Sequence, residues 1–304
     1  MKLVVISYEW PPGGQGMSAH YLAKSLPCHV ITNGGKNRSW TSLNLIDWLM
    51  QTQAWLKSTI SEIDVDGVII MGGFPGAFLN TYGKPTVVSL MGSDVPGFNE
   101  RMSIPYFLWG PMYRKALSKS RLVANSKGLR ELAEQTIDQE IDVIPNIIDV
   151  NTVPIGATRK NRAIFVGRNI PRKQLWKAKK ECEVAGLPLD IHINTPHKEV
   201  LELFQYYDFY ICTSKHEGMS NSMMEAMAGG CIVITTPCGG HQELVTHDTG
   251  YVMHRGMLEA FRGGIKDPMK IREHVRKVCD KDFVARKYME YFRAADAAGD
   301  EAKK

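Results

Sequence analysis

Two glutamates stand eight positions apart in the stretch HEGMSNSMMEAMAGG, between the strand-like segments FYICTS and CIVITT. Ligands bind at the carboxyl ends of the strands in open parallel sheets. There, Glu217 could accept hydrogen bonds from sugar hydroxyls, and Glu225 could hold both hydroxyls of a ribose. The backbone amides of residues 219–221 would face whatever lies between them. The alternative for Glu225 is a capping box, Ser222-x-x-Glu225, in which the glutamate caps its own helix.

Two cations follow another predicted strand in the segment FVGRNIPRK. Arg168 and Lys173 stand five positions apart, so both could point at one anion beyond the strand end. The planar fork of an arginine and the point charge of a lysine together suit a diphosphate. Two solvated surface cations are the alternative. After a later strand, His241 follows a Gly-Gly pair and is a further candidate beside a ligand.

A glycine-rich turn, YEWPPGGQGMSAH, lies between the first predicted strand and a helix. Gly14 and Gly16 would let backbone N–H groups approach an anion at the start of that helix, where the helix dipole favours negative charge. The turn also fits the dinucleotide pattern G-x-G-x-x-A, which expects an acidic residue about twenty positions on. Lys36 and Arg38 stand there instead and would fit only a 2′-phosphate, so an NADP site is one alternative and a plain tight turn is another.

The elements that must position these residues alternate short apolar runs with helical patterns along the whole chain. LVVIS, GVIIM, TVVSLMG, AIFVG, FYICTS and CIVITT are rich in β-branched residues, and helical stretches separate them. Such continuous apolar runs indicate parallel strands that are covered on both faces. Each half of the chain therefore predicts a doubly wound α/β unit, joined near residues 150–162.

Composition bounds the class of protein. The chain has 304 residues, with 44% hydrophobic and 23% charged, and a net charge of +5. This balance predicts a globular protein of about two domains. The modest positive charge favours a phosphate-bearing ligand or an anionic surface but does not argue for nucleic-acid binding. Six scattered cysteines without a C-x-x-C pair, no leader-like start and no apolar run of membrane length predict a cytoplasmic protein, with peripheral membrane contact left open.

Taken in order, these motifs resemble the retaining GT-B glycosyltransferases of family 4. The resemblance spans nearly the whole chain, from YEWPPGGQG through LMGSD, ANS and VIPNIID to FVGRNIPRK, EGMSNSMMEAMAGG, TPCGGHQELV and DTGYV. It implies two Rossmann-like domains with a cleft between them. We expect an acceptor-side domain over residues 1–155, a sugar-nucleotide domain over 156–280, and a final helix over 281–304 that crosses back to the first domain.

The resemblance also implies roles for individual residues. In this family the first glutamate contacts the transferred sugar and the second the nucleotide ribose, while the Arg and Lys bind the diphosphate. Glu217, Arg168 and Lys173 would then be the catalytic residues. The implied donor-binding set consists of Gly14, Gly16, Arg168, Lys173, Glu217, Gly218, Met219, Ser220, Asn221 and Glu225.

The acceptor side departs from the family pattern. Met91 stands where the family often has a histidine that precedes a glycine, so the contact of that histidine with the donor sugar is lost or moved. His20, Ser93 and Asp94 are the candidates on the acceptor side, although a solvated helix histidine explains His20 equally well. The chain is also shorter than most members, which predicts trimmed acceptor loops.

The predicted activity is retaining, metal-independent glycosyl transfer from a UDP- or GDP-linked sugar, with no cofactor. The acceptor could be a glycan, a lipid-linked sugar, a small metabolite or a modified nucleic-acid base. Two other functions stay open at this point. One is an NADP-dependent oxidoreductase that uses the first turn and has no role for Glu217 or Glu225. The other is a sugar-nucleotide-binding module without catalysis.

Overall fold

The structure is a computed structural model that describes residues 1–8, 14–32, 42–96, 98, 106–156, 159–254, 256 and 264–301. Lys36 and Arg38 lie outside these residues. The chain packs into two compact units. The first comprises Met1–Asn125, Leu129–Ile144 and Lys281–Lys304, and the second comprises Ser126–Gly128 and Pro145–Asp280. The domain boundaries expected from sequence stay predictions, because compact units need not coincide with folding domains.

Each unit contains a parallel sheet. The six strands of the first sheet are β1 (Leu3–Ser7), β2 (Cys28–Thr32), β3 (Gly67–Met71), β4 (Thr86–Leu90), β5 (Arg121–Ala124) and β6 (Ile141–Val143). The five strands of the second are β7 (Lys160–Gly167), β8 (Leu189–Ile193), β9 (Tyr207–Cys212), β10 (Ile232–Thr235) and β11 (Gly250–Val252). All side chains of β1, β3 and β4 are buried, as the β-branched runs predict for strands covered on both faces.

Helices connect the strands. In chain order they are α1 (Gly14–Ser25), α2 (Ser42–Ile63), α3 (Gly73–Gly76), α4 (Tyr106–Leu117), α5 (Lys127–Glu134), α6 (Leu175–Val184), α7 (His197–Leu203), α8 (Asn221–Ala228), α9 (His241–Leu244), α10 (Pro268–Cys279) and α11 (Lys281–Glu301). Short 3-10 helices cover Val150–Thr152, Pro171–Lys173 and Phe204–Tyr206. No helix in the described ranges is long and apolar enough to span a bilayer.

The strand order predicts where each sheet would hold a ligand. The order is β2-β1-β3-β4-β5-β6 in the first sheet and β11-β10-β9-β7-β8 in the second. In both, the order reverses beside the first strand of the unit, between β1 and β3 and between β7 and β9. Ligands of open α/β sheets bind at this reversal, outside the carboxyl ends of the strands. We therefore expect a ligand of the second unit to contact the segments after β7 and β9.

Candidate functional site

A compact cluster of charges lies where β7 and β9 end. Lys173 Nζ is 2.7 Å from Glu217 Oε1, and Arg172 Nη1 is 3.3 Å from the same oxygen. Ser214 Oγ donates to this oxygen at 3.3 Å. The side chains of Lys173 and Glu217 are each only 12% exposed. The structure thus brings together two of the predicted residues, Lys173 and Glu217, in one mostly buried ion pair.

The two loops that carry this pair are tied to each other. Thr213 Oγ1 donates to the carbonyl oxygens of Lys173 and Gln174, both at 3.0 Å. The backbone N–H of Lys215 donates to the carbonyl of Arg172 at 2.8 Å. Side-chain and main-chain hydrogen bonds therefore set the distance between the cations and the carboxylate.

The electrostatics keep both members of the pair charged at neutral pH. Burial by itself would raise the pKa of Glu217, but the charges of Lys173 and Arg172 outweigh it and lower the pKa to about 2. Burial would likewise lower the pKa of Lys173, but the Glu217 charge outweighs it and the pKa is raised. An anionic ligand would compete with Glu217 for the same ammonium group.

Arg172 contacts Glu217 although the sequence pattern did not predict it. The predicted partner of Lys173 was Arg168, which is exposed and whose side chain forms no hydrogen bond or ion pair within the described part of the chain. Arg172 instead reaches Glu217 because it belongs to the 3-10 helix Pro171–Lys173, a tight turn beside the end of β7. The adjacent basic residues of PRK were the available signal.

Glu225 does not cap its own helix, so the capping-box alternative is wrong. The N-cap of α8 is Ser220, and Ser222 lies inside the helix, where its Oγ contacts Tyr210 OH at 2.8 Å. The Glu225 side chain is 4% exposed, and its Oε1 lies 2.8 Å from His197 Nε2. A buried carboxylate needs such a partner, and His197 was not predicted from the sequence as a site residue.

The loop between the two glutamates is anchored through its backbone. Asn146 Nδ2 donates to the carbonyl of Met219 at 3.1 Å and to Asn221 Oδ1 at 2.6 Å. The Gly240 N–H donates to the carbonyl of Gly218 at 2.7 Å. Gly218, Met219 and Ser220 are buried. The structure thus holds the segment predicted to bind the donor in one conformation at the start of α8.

His241 is completely buried at the start of α9. Its Nδ1 lies 2.8 Å from Thr235 Oγ1 and 3.3 Å from Cys238 Sγ. Its Nε2 has no hydrogen-bond partner among the described residues. Burial lowers the pKa of His241 to about 4, against the opposing charge of Glu217, so the imidazole is neutral at physiological pH.

In the first unit, the glycine candidates lie in the first turn of α1. The helix begins at Gly14, and Ser18 Oγ donates back to the Gly14 carbonyl at 3.2 Å. Gly16 is buried, whereas Gly14 is exposed. His20 is partly exposed on the same helix, with its ring 5.9 Å from that of Tyr21. The glycine turn itself falls largely outside the described residues.

Asp94 stabilises the turn after β4. Its carboxylate accepts hydrogen bonds from the backbone N–H groups of Gly73, Met91 and Gly92. Burial raises its pKa, although these hydrogen bonds oppose the change. Ser93 is exposed on the same turn. These contacts account for the burial of Asp94, and its acceptor role stays a prediction.

Metal ligands do not gather in the described part of the molecule. There, no group of three or more His, Cys, Asp or Glu side chains lies close enough to hold an ion.

Comparisons with known proteins add a family and a fold. The model of the family "Glycosyl transferases group 1" matches residues 117–269. A GDP-mannose:cellobiosyl-diphosphopolyprenol alpha-mannosyltransferase of Xanthomonas oryzae pv. oryzae is 24% identical over 289 residues, which cover 82% of this chain and 73% of that protein.

Solved structures resemble the chain over nearly its whole length. AviGT4, a glycosyltransferase involved in avilamycin A biosynthesis, has a TM-score of 0.73 at 16% identity and covers 97% of this chain and 98% of its own. Sucrose-phosphate synthase from Thermosynechococcus elongatus has a TM-score of 0.74 at 13% identity, with coverages of 98% and 99%. Anabaena HepE in complex with UDP-glucose has a TM-score of 0.66 at 14% identity, with coverages of 97% and 100%. At such identities the likeness shows the fold alone. Together with the two parallel sheets, it confirms the predicted GT-B class.

Proposed function

The chain belongs to the group 1 glycosyl transferases, and we propose that it moves a sugar from a nucleotide-diphosphate sugar to an acceptor hydroxyl, with retention at the anomeric carbon and without a metal ion. It is a glycosyltransferase with a GT-B fold. The observation that carries the finer proposal is the mostly buried Lys173–Glu217 ion pair at the strand reversal of the second sheet. The residues matched by the family model include this pair and Glu225.

Lys173 and Arg172 are proposed to bind the donor diphosphate, with Arg168 reaching it from the surface. As the bond between the anomeric carbon and the diphosphate oxygen breaks, negative charge grows on the leaving group. Fixed cations in a partly dry site stabilise that charge and can contribute several kcal/mol, on the order of 3 to 4 for a single well-placed donor. These side chains would supply the charge that a metal ion provides in other phosphate sites.

Glu217 is proposed to orient the transferred sugar through its hydroxyls, and Glu225 to hold the ribose. The anchored loop from Gly218 to Asn221 would face the donor between them. When the diphosphate takes over Lys173 and Arg172, the Glu217 carboxylate becomes available to the sugar. Donor binding would thus replace Glu217 with the diphosphate as the partner of Lys173 and Arg172.

The resemblance to retaining enzymes raises the question of a covalent intermediate. In the site without donor, two cations hold Glu217 and lower its pKa to about 2; with donor bound, the proposal gives its oxygens to the sugar hydroxyls and not to the anomeric carbon. We therefore favour a front-face route. The acceptor oxygen forms its bond to the anomeric carbon on the face from which the diphosphate leaves, and the acceptor proton passes to an oxygen of the leaving diphosphate.

The relatives narrow the donors and acceptors worth testing. One relative is named for GDP-mannose and a cellobiosyl-diphosphopolyprenol, and HepE is bound to UDP-glucose. We propose a UDP- or GDP-linked donor. A lipid-linked sugar is the first acceptor to test, before a free glycan, a small metabolite or a modified nucleic-acid base. Five of the six cysteines are buried free thiols, which favours a cytoplasmic site of action.

Calorimetry with UDP-glucose, GDP-mannose and NADP tests the donor site. We expect one sugar nucleotide to bind the wild type and to lose about tenfold or more in affinity in Lys173→Met and Arg172→Gln, because each removes a charge that faces the diphosphate. Arg168→Gln should have a smaller effect, since its side chain is exposed. Lys179→Met removes an exposed lysine of α6 and serves as the matched control.

Product analysis tests the reaction. Turnover should be unchanged by a chelator, and nuclear magnetic resonance should show the donor's anomeric configuration in the product. An inverted product would refute retention, and loss of turnover with the chelator would refute metal independence. Binding of NADP alone, unaffected by any of the substitutions, would replace the proposal with a nicotinamide site at the first turn.

A further inference from the structure

His197 contacts the carboxylate that the proposed function assigns to the ribose. His197 is the first residue of α7, which follows β8, and Glu225 lies in the middle of α8. The distance from His197 Nε2 to Glu225 Oε1 is 2.8 Å. Among the described residues this is the one polar contact of the Glu225 side chain, which is 4% exposed, while His197 is 23% exposed.

An almost fully buried carboxylate without a partner would be strongly disfavoured. The contact with His197 offsets this cost and also restricts the carboxylate to one orientation. His197 Nε2 occupies one lone pair of Oε1. The second lone pair of Oε1 and both of Oε2 remain able to accept hydrogen bonds, which is enough for the two hydroxyls of a ribose.

We propose that His197 is the positioning residue for the ribose-binding carboxylate, and that its protonation regulates the affinity for the nucleotide sugar. The inference rests on the proposed function, because only a donor that reaches Glu225 would report the state of His197.

The charge of His197 decides in which direction donor affinity changes with pH. Burial lowers the pKa of His197, but the hydrogen bond and the charge of Glu225 outweigh burial and raise it. Below that pKa the imidazolium compensates the carboxylate. Above it, a neutral imidazole can still donate a hydrogen bond, but the Glu225 charge then faces an anionic donor uncompensated. Affinity should therefore fall as the pH rises through the pKa of His197.

The surroundings of His197 support this assignment. Within the described part of the chain, Glu225 on α8 is the one charged group that raises the pKa of His197. On α7 itself, the neighbouring side chains of Lys198 and Glu199 are exposed. His241, which is completely buried in the same unit, has a pKa of about 4 and stays neutral from pH 5.5 upwards.

The test is donor affinity from about pH 5.5 to about pH 8.5, the range in which histidines titrate. The ligand should be UDP-glucose or GDP-mannose rather than a free nucleoside diphosphate. A diphosphate that is esterified at both ends keeps its charge over this range, whereas a terminal phosphate would titrate with the histidine.

His197→Gln keeps an N–H donor but cannot titrate, and His197→Ala removes the donor altogether. For the wild type we expect an affinity that weakens about tenfold across the range, since the loss of one positive charge near an anionic ligand in a partly buried site is worth roughly that factor. His197→Gln should bind with little pH dependence. His197→Ala should bind more weakly at every pH, with the donor KM raised and kcat largely retained.

The control is His247→Gln, because His247 also lies beside a carboxylate, that of Asp248, but is 90% exposed. It should keep the wild-type pH profile. If the wild type binds a donor and His197→Gln shows the same pH dependence, or if His197→Ala binds as tightly as the wild type, the inference about His197 is wrong while the proposed function stands. If the wild type binds neither donor, the proposed function fails and the inference with it.

Discussion

At the scale of single residues, the two glutamates of the proposed donor site each contact basic side chains. Glu217 contacts Lys173 and Arg172, and Glu225 contacts His197. Each pair joins segments that are far apart in sequence, which explains why the carboxylates could be selected from their spacing and their partners could not. Nothing local in PHKEV distinguishes His197 from an exposed histidine at the start of a helix.

His241 differs from these glutamates, because it is completely buried and its side chain makes polar contacts only with Thr235 and Cys238 among the described residues. Its pKa of about 4 lies below the ordinary value of 6.5, so between these values the unfolded chain binds a proton that the folded protein does not. The free energy of unfolding should therefore fall as the pH drops from 6.5 towards 4, by up to about 3 kcal/mol.

Denaturant unfolding of the wild type and His241→Asn checks this expectation, with His247→Asn as the exposed control. The measurements should stay above pH 4.5, the ordinary pKa of Glu217, because the stabilisation from that carboxylate is lost only below it. His197 has a raised pKa, so its contribution to the free energy of unfolding grows as the pH falls. All three proteins contain His197, so this contribution cancels in the comparison. An identical pH dependence in His241→Asn would show that His241 is not buried in its neutral form.

At the scale of elements, the turn before α9 packs directly on the loop that follows β9. Gly239 has a φ of +46°, and a Cβ at this position would lie 1.7 Å from the carbonyl oxygen of Glu217. No side chain fits there unless the loop that carries Glu217 moves. The glycine pair thus sets the position of the loop that carries Glu217 as well as the start of α9.

Gly239→Ala should therefore weaken donor binding at least about tenfold and also destabilise the fold. Gly186→Ala is the matched control, because Gly186 has a φ of +64° with open space around the added Cβ. It should cost about 1 to 2 kcal/mol of backbone strain and leave donor affinity unchanged. Calorimetry and thermal unfolding separate the two effects. Equal donor affinity in both variants would contradict the role given to this turn.

At the scale of the whole molecule, the last helix belongs to the same unit as the first strand. Residues of α11 are part of the first unit, and Phe292 and Tyr288 are buried there. Phe292 packs against Gly67 at the start of β3, where an added Cβ would lie 2.5 Å from its ring. The last helix therefore contributes to the core of the first unit.

Phe292→Ala should destabilise the first unit by about 3 to 5 kcal/mol, because it leaves a cavity beside β3. Hydrogen exchange of the β1 and β3 amides measures this locally, without assuming that the two units unfold together. Arg293→Ala changes an exposed residue of the same helix and should stay within about 0.5 kcal/mol. Unchanged protection of the β3 amides in Phe292→Ala would show that the helix is dispensable to this core.

The sequence by itself determined the doubly wound α/β architecture and predicted the segments that would carry the chemistry. Apolar β-branched runs report burial on both faces, and polar residues just after such runs report the ligand edge of a sheet, so Lys173 and Glu217 could be selected from local pattern. Only the tertiary structure decided which side chains meet. In it, Arg172 rather than Arg168 contacts Glu217. Glu225 contacts His197 instead of capping its own helix, and Asp94 accepts hydrogen bonds from the backbone of a turn. Such contacts depend on how loops from different strands approach each other, and no local pattern encodes that distance.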